Sequence, residues 1–109
     1  MVEYTLNLDS VFGSLADPTR RDILRQVAVG PLTISEIAKS YNLTFAAISK
    51  HLKVLENAQL IIKKKRGKER IVQIAPQTFK GAAEYLEHYE SLWNQRFDAL
   101  EQLLKEDTK

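Results

Sequence analysis

The sequence predicts a mainly α-helical domain, with five helices and one small β-hairpin. Apolar residues recur three or four positions apart over most of the chain, which is the spacing of one face of a helix. Two short β-branched pieces at residues 60–62 and 71–74 flank a glycine, and they predict two paired strands. The length of 109 residues allows one compact domain with a modest core and is too short for two.

The first two helices are predicted from apolar spacing and from residues typical of helix ends. Four apolar residues indicate a short helix over about residues 8–16: Leu8, Val11, Phe12 and Leu15. Asp17 as N-cap, Pro18 at the first helical position and Gly30 as terminator bound a second helix. Three apolar residues form its inner face: Ile23, Leu24 and Val27.

The third and fourth helices are predicted as a pair with a short connection. Thr33 and Glu36 fit a capping box, which starts a helix that runs through about Ser40. Thr44 is the expected N-cap of the next helix, over residues 45–58. The inward residues are Ile34, Ile37 and Ala38 on the third helix, and Ile48, Leu52 and Leu55 on the fourth. Two short helices joined in this way form a helix-turn-helix.

The positive charge of the chain is concentrated on the fourth helix and just after it. Residues 49–70 hold eight Lys and Arg against two carboxylates, whereas the other residues hold eight against twelve. The run KKKRGKER at residues 63–70 lies in the predicted hairpin, where Gly67 supplies the positive φ of the turn. Because the hairpin directly follows the fourth helix, we interpret it as a two-stranded wing beside the outward face of that helix. The pattern predicts a winged helix-turn-helix whose partner is a polyanion.

A long last helix is predicted over about residues 77–105. Seven apolar residues occupy its a and d heptad positions, and Arg96 interrupts the series: Phe79, Ala82, Leu86, Tyr89, Trp93, Leu100 and Leu103. This is more apolar surface than one domain of this size comfortably covers, although burial within the chain stays open for residues 79–86. We therefore expect a second copy of the chain as partner, forming a homodimer.

Three stretches resemble the ArsR family of bacterial and archaeal winged helix-turn-helix repressors: LADPTRRDIL, LTISEIAKSYNLTFAAISKHLKVLENAQLI and KKKRGKERIVQI. The likeness covers roughly residues 8–75. It implies a homodimeric repressor that binds a palindromic double-stranded DNA operator and leaves it when an effector binds, with helices 8–16 and 77–105 in the dimer interface. Gln59 departs from the family pattern, which has a left-handed glycine at this position to end the recognition helix.

The resemblance also implies which residues form each surface. The recognition-helix surface would comprise Thr44, Phe45, Ala46, Ser49 and His51, with Lys50 and Lys53 on flanking phosphates. The wing cations that reach the DNA backbone or the minor groove would be Lys63, Lys64, Arg66, Lys68 and Arg70. The expected dimer interface consists of Leu8, Val11, Phe12, Leu86, Tyr89, Trp93, Phe97, Leu100 and Leu104.

The residue types argue against an enzyme and against a metal sensor. The sequence has no cysteine and no glycine-rich phosphate loop, and its two histidines have no evident triad partners, so no catalytic residue and no cofactor are expected. His88 with Glu84 one turn earlier is the nearest approach to a zinc site, and we expect no metal there. Three ways in which the protein could be released from its operator stay open: a non-metal signal, a partner protein or a falling protein level.

Hydropathy and the N-terminal residues indicate where in the cell the protein is expected. No apolar run approaches the length of about 18 residues that spans a bilayer, and no basic leader precedes an apolar segment. We therefore expect a cytoplasmic protein without a membrane partner. The alternative function is a winged-helix module for RNA or protein contacts without operator binding, since a fold alone does not establish function.

Overall fold

The computed structural model describes residues 6–107. Within this range the chain forms helices and one three-stranded antiparallel sheet. The elements are α1 (Leu8–Ser14), α2 (Pro18–Val29), β1 (Leu32–Thr33), α3 (Ile34–Lys39), α4 (Phe45–Asn57), β2 (Ile61–Arg66), β3 (Glu69–Ile74) and α5 (Pro76–Asp107). The predicted mainly helical fold with a hairpin is confirmed.

Polar side chains at the helix starts satisfy backbone N–H groups that have no partner inside the helix. Asp17 accepts a hydrogen bond from the Arg20 amide at 3.0 Å, and Thr44 accepts one from the Ala47 amide at 3.1 Å. Thr33 and Glu36 form the predicted capping box, in which each side chain accepts from the backbone of the other. These three predicted N-caps are therefore confirmed.

The sheet has one strand more than the predicted two-stranded wing. Its order is β1-β3-β2, and β1 pairs with β3 through Leu32 opposite Val72. The two residues of β1 are too few to show an alternating pattern in the sequence. In the hairpin Arg66 lies opposite Glu69, and Gly67 in the connecting loop has a φ of 63°. Glycine adopts this left-handed conformation without the steric cost that a Cβ imposes, as the prediction required.

The core lies between α2, α3, α4 and the sheet. The predicted inner faces of α2 and α4 are buried, and Ile37 of α3 has no exposed surface. Each fully buried side chain of this size contributes roughly 1.5–3 kcal/mol of hydrophobic stabilisation. Val11 of α1 also lies in this core with 1% of its surface exposed, so the structure removes it from the predicted dimer interface.

The connection from α4 to β2 is a left-handed turn at a residue that is not glycine. Gln59 has a φ of 62°, and the Leu60 amide donates to the Leu55 carbonyl at 3.0 Å. This is the Schellman arrangement that ends many helices. The Thr78 hydroxyl donates to the Gln59 carbonyl, so the turn is also held by α5. Glutamine in this conformation lowers the stability of the fold by about 1 kcal/mol relative to glycine.

The last helix extends well beyond the core. With 32 residues, α5 is roughly 48 Å long at 1.5 Å per residue. Thr78 and Ala82 in its first two turns are buried against the rest of the chain. From Leu86 to Glu106, in contrast, every residue is exposed. The molecule is accordingly elongated, measuring 70 Å along its longest axis.

Candidate nucleic-acid interface

The orientation of α4 is determined by its apolar face. Ile48, Leu52 and Leu55 have no exposed surface, so this face points into the core. At about 100° per residue, Lys50 and Lys53 lie on the opposite side of the helix, where both are exposed. The core therefore presents a cationic helix face to solvent.

The turn between α3 and α4 is fastened to α2 by a polar network. The Tyr41 hydroxyl donates to the Asp22 carboxylate, and the Gln26 amide donates to both of these groups at 3.1 Å. Burial, followed by the hydrogen bond to Asp22, raises the pKa of Tyr41 well above its usual range. The Tyr41 hydroxyl, followed by the Arg25 guanidinium, holds the pKa of Asp22 below its usual value. This network limits movement of the turn that leads into α4.

The Tyr41 network has no counterpart among the features predicted from the sequence. Tyr41 and Asp22 are 19 residues apart, and both are ordinary residues for a turn and for an exposed helix face. The sequence carried no signal for this contact, because periodicity and capping patterns describe neighbours along the chain.

The wing is joined to α4 by an ion pair. Lys63 Nζ lies 3.5 Å from Glu56 Oε1, and the Lys63 side chain is 16% exposed. Lys63, predicted among the DNA-binding wing cations, is thus held against α4 by a carboxylate in the free chain, and its contact with DNA stays a prediction. The other predicted wing cations are exposed: Lys64, Arg66, Lys68 and Arg70.

A hollow of about 270 Å³ separates the wing from the start of α4. Its wall is formed by the N-terminal end of α3, the first residue of α4 and the tip of the wing: Thr33, Ile34, Ser35, Phe45, Lys68, Glu69 and Arg70. Thr44, Phe45 and Ala46 are exposed and Ser49 is partly exposed. The structure thus places the predicted residues Phe45, Lys68 and Arg70 around one recess. The other lining residues were not predicted for this surface: Thr33 of β1, Ile34 and Ser35 of α3, and Glu69 of β3.

His51 lies elsewhere on α4. It follows Ser49 by two residues and therefore points about 200° away from it around the helix. Its Nδ1 atom is 3.9 Å from Asp17 Oδ2, at the start of α2. The Arg20 backbone amide, assisted by the charges of Arg20 and His51, lowers the pKa of Asp17. The structure therefore does not bring His51 together with Phe45 and Ser49, and places it against α2.

Two further observations concern metals and membranes. In the part of the chain that the structure describes, no group of three or more His, Asp or Glu side chains is arranged to hold a metal ion. His88 and Glu84 are both exposed on α5. No helix within residues 6–107 is both apolar and long enough to cross a membrane.

A helix pair with an exposed cationic second helix, followed by a cationic hairpin, defines a winged helix-turn-helix domain of the nucleic-acid-binding class. The family model described as "Bacterial regulatory protein, arsR family" matches residues 17–63. The transcriptional regulator Rv2034 of Mycobacterium tuberculosis is 33% identical over 96 residues, which are 88% of this chain and 87% of that protein. The chain belongs to the ArsR family.

Another relative and two solved structures extend the comparison. The transcriptional repressor SdpR of Bacillus subtilis is 37% identical over 60 residues, covering 55% of this chain and 67% of SdpR. An ArsR-like transcriptional regulator from Rhodococcus sp. RHA1 superposes with a TM-score of 0.75 at 30% identity, over 88% of this chain and 91% of that one. The homodimeric winged helix-turn-helix DNA-binding domain of Mb0332 from Mycobacterium bovis superposes with a TM-score of 0.60 at 25% identity. The superposition covers 74% of this chain and 82% of that one.

Proposed function

We propose that this protein is a homodimeric transcriptional repressor that binds a palindromic DNA operator through α4 and the wing. The observation that carries the proposal is the common orientation of two cationic elements. The buried face of α4 turns Lys50 and Lys53 outward, and the Lys63–Glu56 ion pair holds the exposed wing cations beside them. A helix of this kind enters the major groove, and the neighbouring cations neutralise phosphates.

Dimerisation is supported by the exposed apolar surface of α5. The predicted interface residues on this helix are all exposed: Leu86, Tyr89, Trp93, Phe97, Leu100 and Leu104. The Trp93 and Phe97 rings stack with centroids 5.7 Å apart, which forms a continuous aromatic surface. A row of exposed apolar side chains along one helix is typical of an interface between proteins.

The first helix extends the same surface. Phe12 is exposed and its ring centroid lies 6.1 Å from that of Tyr85 on α5. Leu8 is partly exposed on the same helix and stays in the proposed interface with Phe12. A two-fold axis through this surface would present two α4 helices to two half-sites of a palindrome.

Repression would follow from occupancy of the operator. The SdpR relative carries the name of a transcriptional repressor, which supports this direction of regulation. The chain has no cysteine to supply thiolate ligands, and this favours a release signal other than a soft metal ion.

The test is direct binding to nucleic acid. Fluorescence anisotropy should show tight, salt-sensitive binding to the DNA upstream of the protein's own gene, and much weaker binding to an RNA duplex of matched sequence. Equal or tighter binding to RNA would instead favour the alternative of an RNA-binding module. Unlabelled random duplex as competitor distinguishes operator binding from general attraction to phosphate.

A further inference from the structure

Phe45 is an exposed aromatic residue beside the cations of the wing. It is the first residue of α4, and 58% of its surface is exposed. Its side chain lines the hollow that also contains Lys68 and Arg70 of the wing. Phe45 lies on the same stripe of α4 as Ile48 and Leu52, but more than half of its surface is exposed, so it contributes less to the stability of the isolated chain than these core residues.

The surroundings of Phe45 restrict what can cover it. Lys68 and Arg70 outnumber Glu69 in the lining of this hollow and favour a polyanion, so the partner that best fits Phe45 is an apolar group on a molecule rich in phosphate. The DNA major groove offers one exposed apolar group on a base edge, the 5-methyl group of thymine. Phenylalanine and alanine are side chains that contact this methyl group, and Ala46 is exposed beside Phe45.

The position of Phe45 on α4 agrees with this contact. In helix-turn-helix proteins the N-terminal residues of the second helix reach the base edges, and Phe45 stands at this end behind the N-cap Thr44. We infer that Phe45, with Ala46, recognises thymine through its 5-methyl group and thereby determines part of the operator sequence. This inference rests on the DNA-binding function proposed above.

The experiment removes the methyl group and leaves base pairing intact. A duplex selected from a random pool by the wild-type protein is resynthesised with deoxyuridine in place of each thymine in turn. Replacement at the contacted position should weaken wild-type binding about four-fold, and replacement in both half-sites about fifteen-fold, as expected for one or two buried methyl groups. Anisotropy titrations measure both ratios.

The Phe45→Ala variant tests whether this residue makes the contact. It should bind the thymine duplex more weakly than wild type, and its preference for thymine over uracil should fall well below the wild-type ratio, because only Ala46 remains to contact the methyl group. Val54→Ala is the matched control, because Val54 is an exposed apolar residue of α4 nine positions away, on about the opposite side of the helix. This control should retain the wild-type ratio. Since Phe45 is exposed, both variants should fold, and thermal melts followed by circular dichroism check this.

The outcomes separate the inference from the function on which it rests. Failure of the wild-type protein to bind any duplex would overturn the proposed function. Tight binding that is equal for thymine and uracil at every position would leave that function intact and overturn the role of Phe45. A wild-type preference for thymine that persists unchanged in Phe45→Ala would assign the methyl contact to another residue, and would equally overturn the inference.

Discussion

The two ends of this molecule differ in what holds them in place. Each helix from α1 to α4 places at least one fully buried side chain in a common core, and α5 joins that core through its first two turns. The second half of α5 has no buried residue between Leu86 and Glu106. Its aromatic and leucine side chains are as apolar as those of the core, yet they are exposed in the single chain.

The buried core and the exposed half of α5 are therefore suited to different tasks within one short chain. The core fixes the orientation of α4 and of the wing, which is the requirement for reading DNA. In the function proposed above, the exposed half of α5 would supply surface for a second copy, which is the requirement for reading two half-sites. Substitutions in the first region should therefore change folding, and those in the second should change assembly.

The largest effect is expected in the core. Leu52→Ala should lower the free energy of unfolding by about 2–5 kcal/mol, because Leu52 is fully buried and its truncation leaves a cavity. Urea denaturation followed by circular dichroism measures the change. Val29→Ala is the control, since Val29 is 92% exposed and should change stability by less than about 0.5 kcal/mol. Similar losses in both variants would contradict the core assigned here.

Assembly should respond to α5 while the core stays folded. Leu100→Asp should raise the dimer dissociation constant at least about tenfold, because a carboxylate buried between two chains loses its hydration. Trp93→Ala should act in the same direction by removing apolar contact. Sedimentation equilibrium checks the mass of each variant.

The control for this comparison is Gln102→Asp, which adds the same charge to a polar position of the same helix. It should remain dimeric. Loss of the dimer in Gln102→Asp as well would point to a general effect of charge and not to a specific apolar interface.

The wing should control the salt dependence of DNA binding. If about 6–10 phosphates are contacted per dimer, log K should fall with log salt at a slope of very roughly −5 to −9. Replacing Lys64, Arg66 and Lys68 by alanine should flatten this slope by up to about 5. Lys105→Ala, at the far end of α5, should leave it unchanged. A slope that is the same in the triple variant would exclude the wing from the contact with DNA.

A smaller effect is expected from the Tyr41 network. The Tyr41 hydroxyl and the Arg25 guanidinium lower the pKa of Asp22 in the folded chain, so this carboxylate adds stability above its unfolded pKa near 4. That stability is lost as the pH falls through the lower folded pKa. Tyr41→Phe should therefore be less stable than wild type at pH 7, and the difference should shrink towards pH 2. Urea denaturation at a series of pH values would contradict this if the difference stayed constant.

The smallest effect is expected at the end of α4. Gln59→Gly should raise stability by up to about 1 kcal/mol, because glycine adopts the observed φ of 62° without steric cost. Urea denaturation checks the sign. Gln77→Gly serves as a control at another exposed glutamine, in the first turn of α5, and should lower stability. A loss of stability in Gln59→Gly would show that the glutamine side chain contributes contacts that outweigh the strain.

Local features could be predicted from the sequence, and contacts between distant residues could not. The N-caps Asp17, Thr33 and Thr44 depend on residues within one turn, and their patterns are visible in the chain. The pairing of Leu32 with Val72 and the approach of His51 to Asp17 depend on tertiary packing. The residues of the candidate interface could correspondingly be predicted as a set. The ion pair of Lys63 with Glu56 and the position of His51 beside Asp17 could not be predicted, because both depend on tertiary packing.

The strand order has a consequence for solubility during folding. Because β3 lies in the middle of the sheet, β2 is an edge strand whose outer backbone groups have no neighbouring strand within the described chain. Exposed edges of this kind promote aggregation between sheets, and lysine side chains along an edge oppose it. The sequence IIKKKR places three lysines on this strand directly after two isoleucines. We therefore expect the basic run also to oppose pairing of this sheet with other chains, and alanine substitutions in the wing should increase aggregation at high protein concentration.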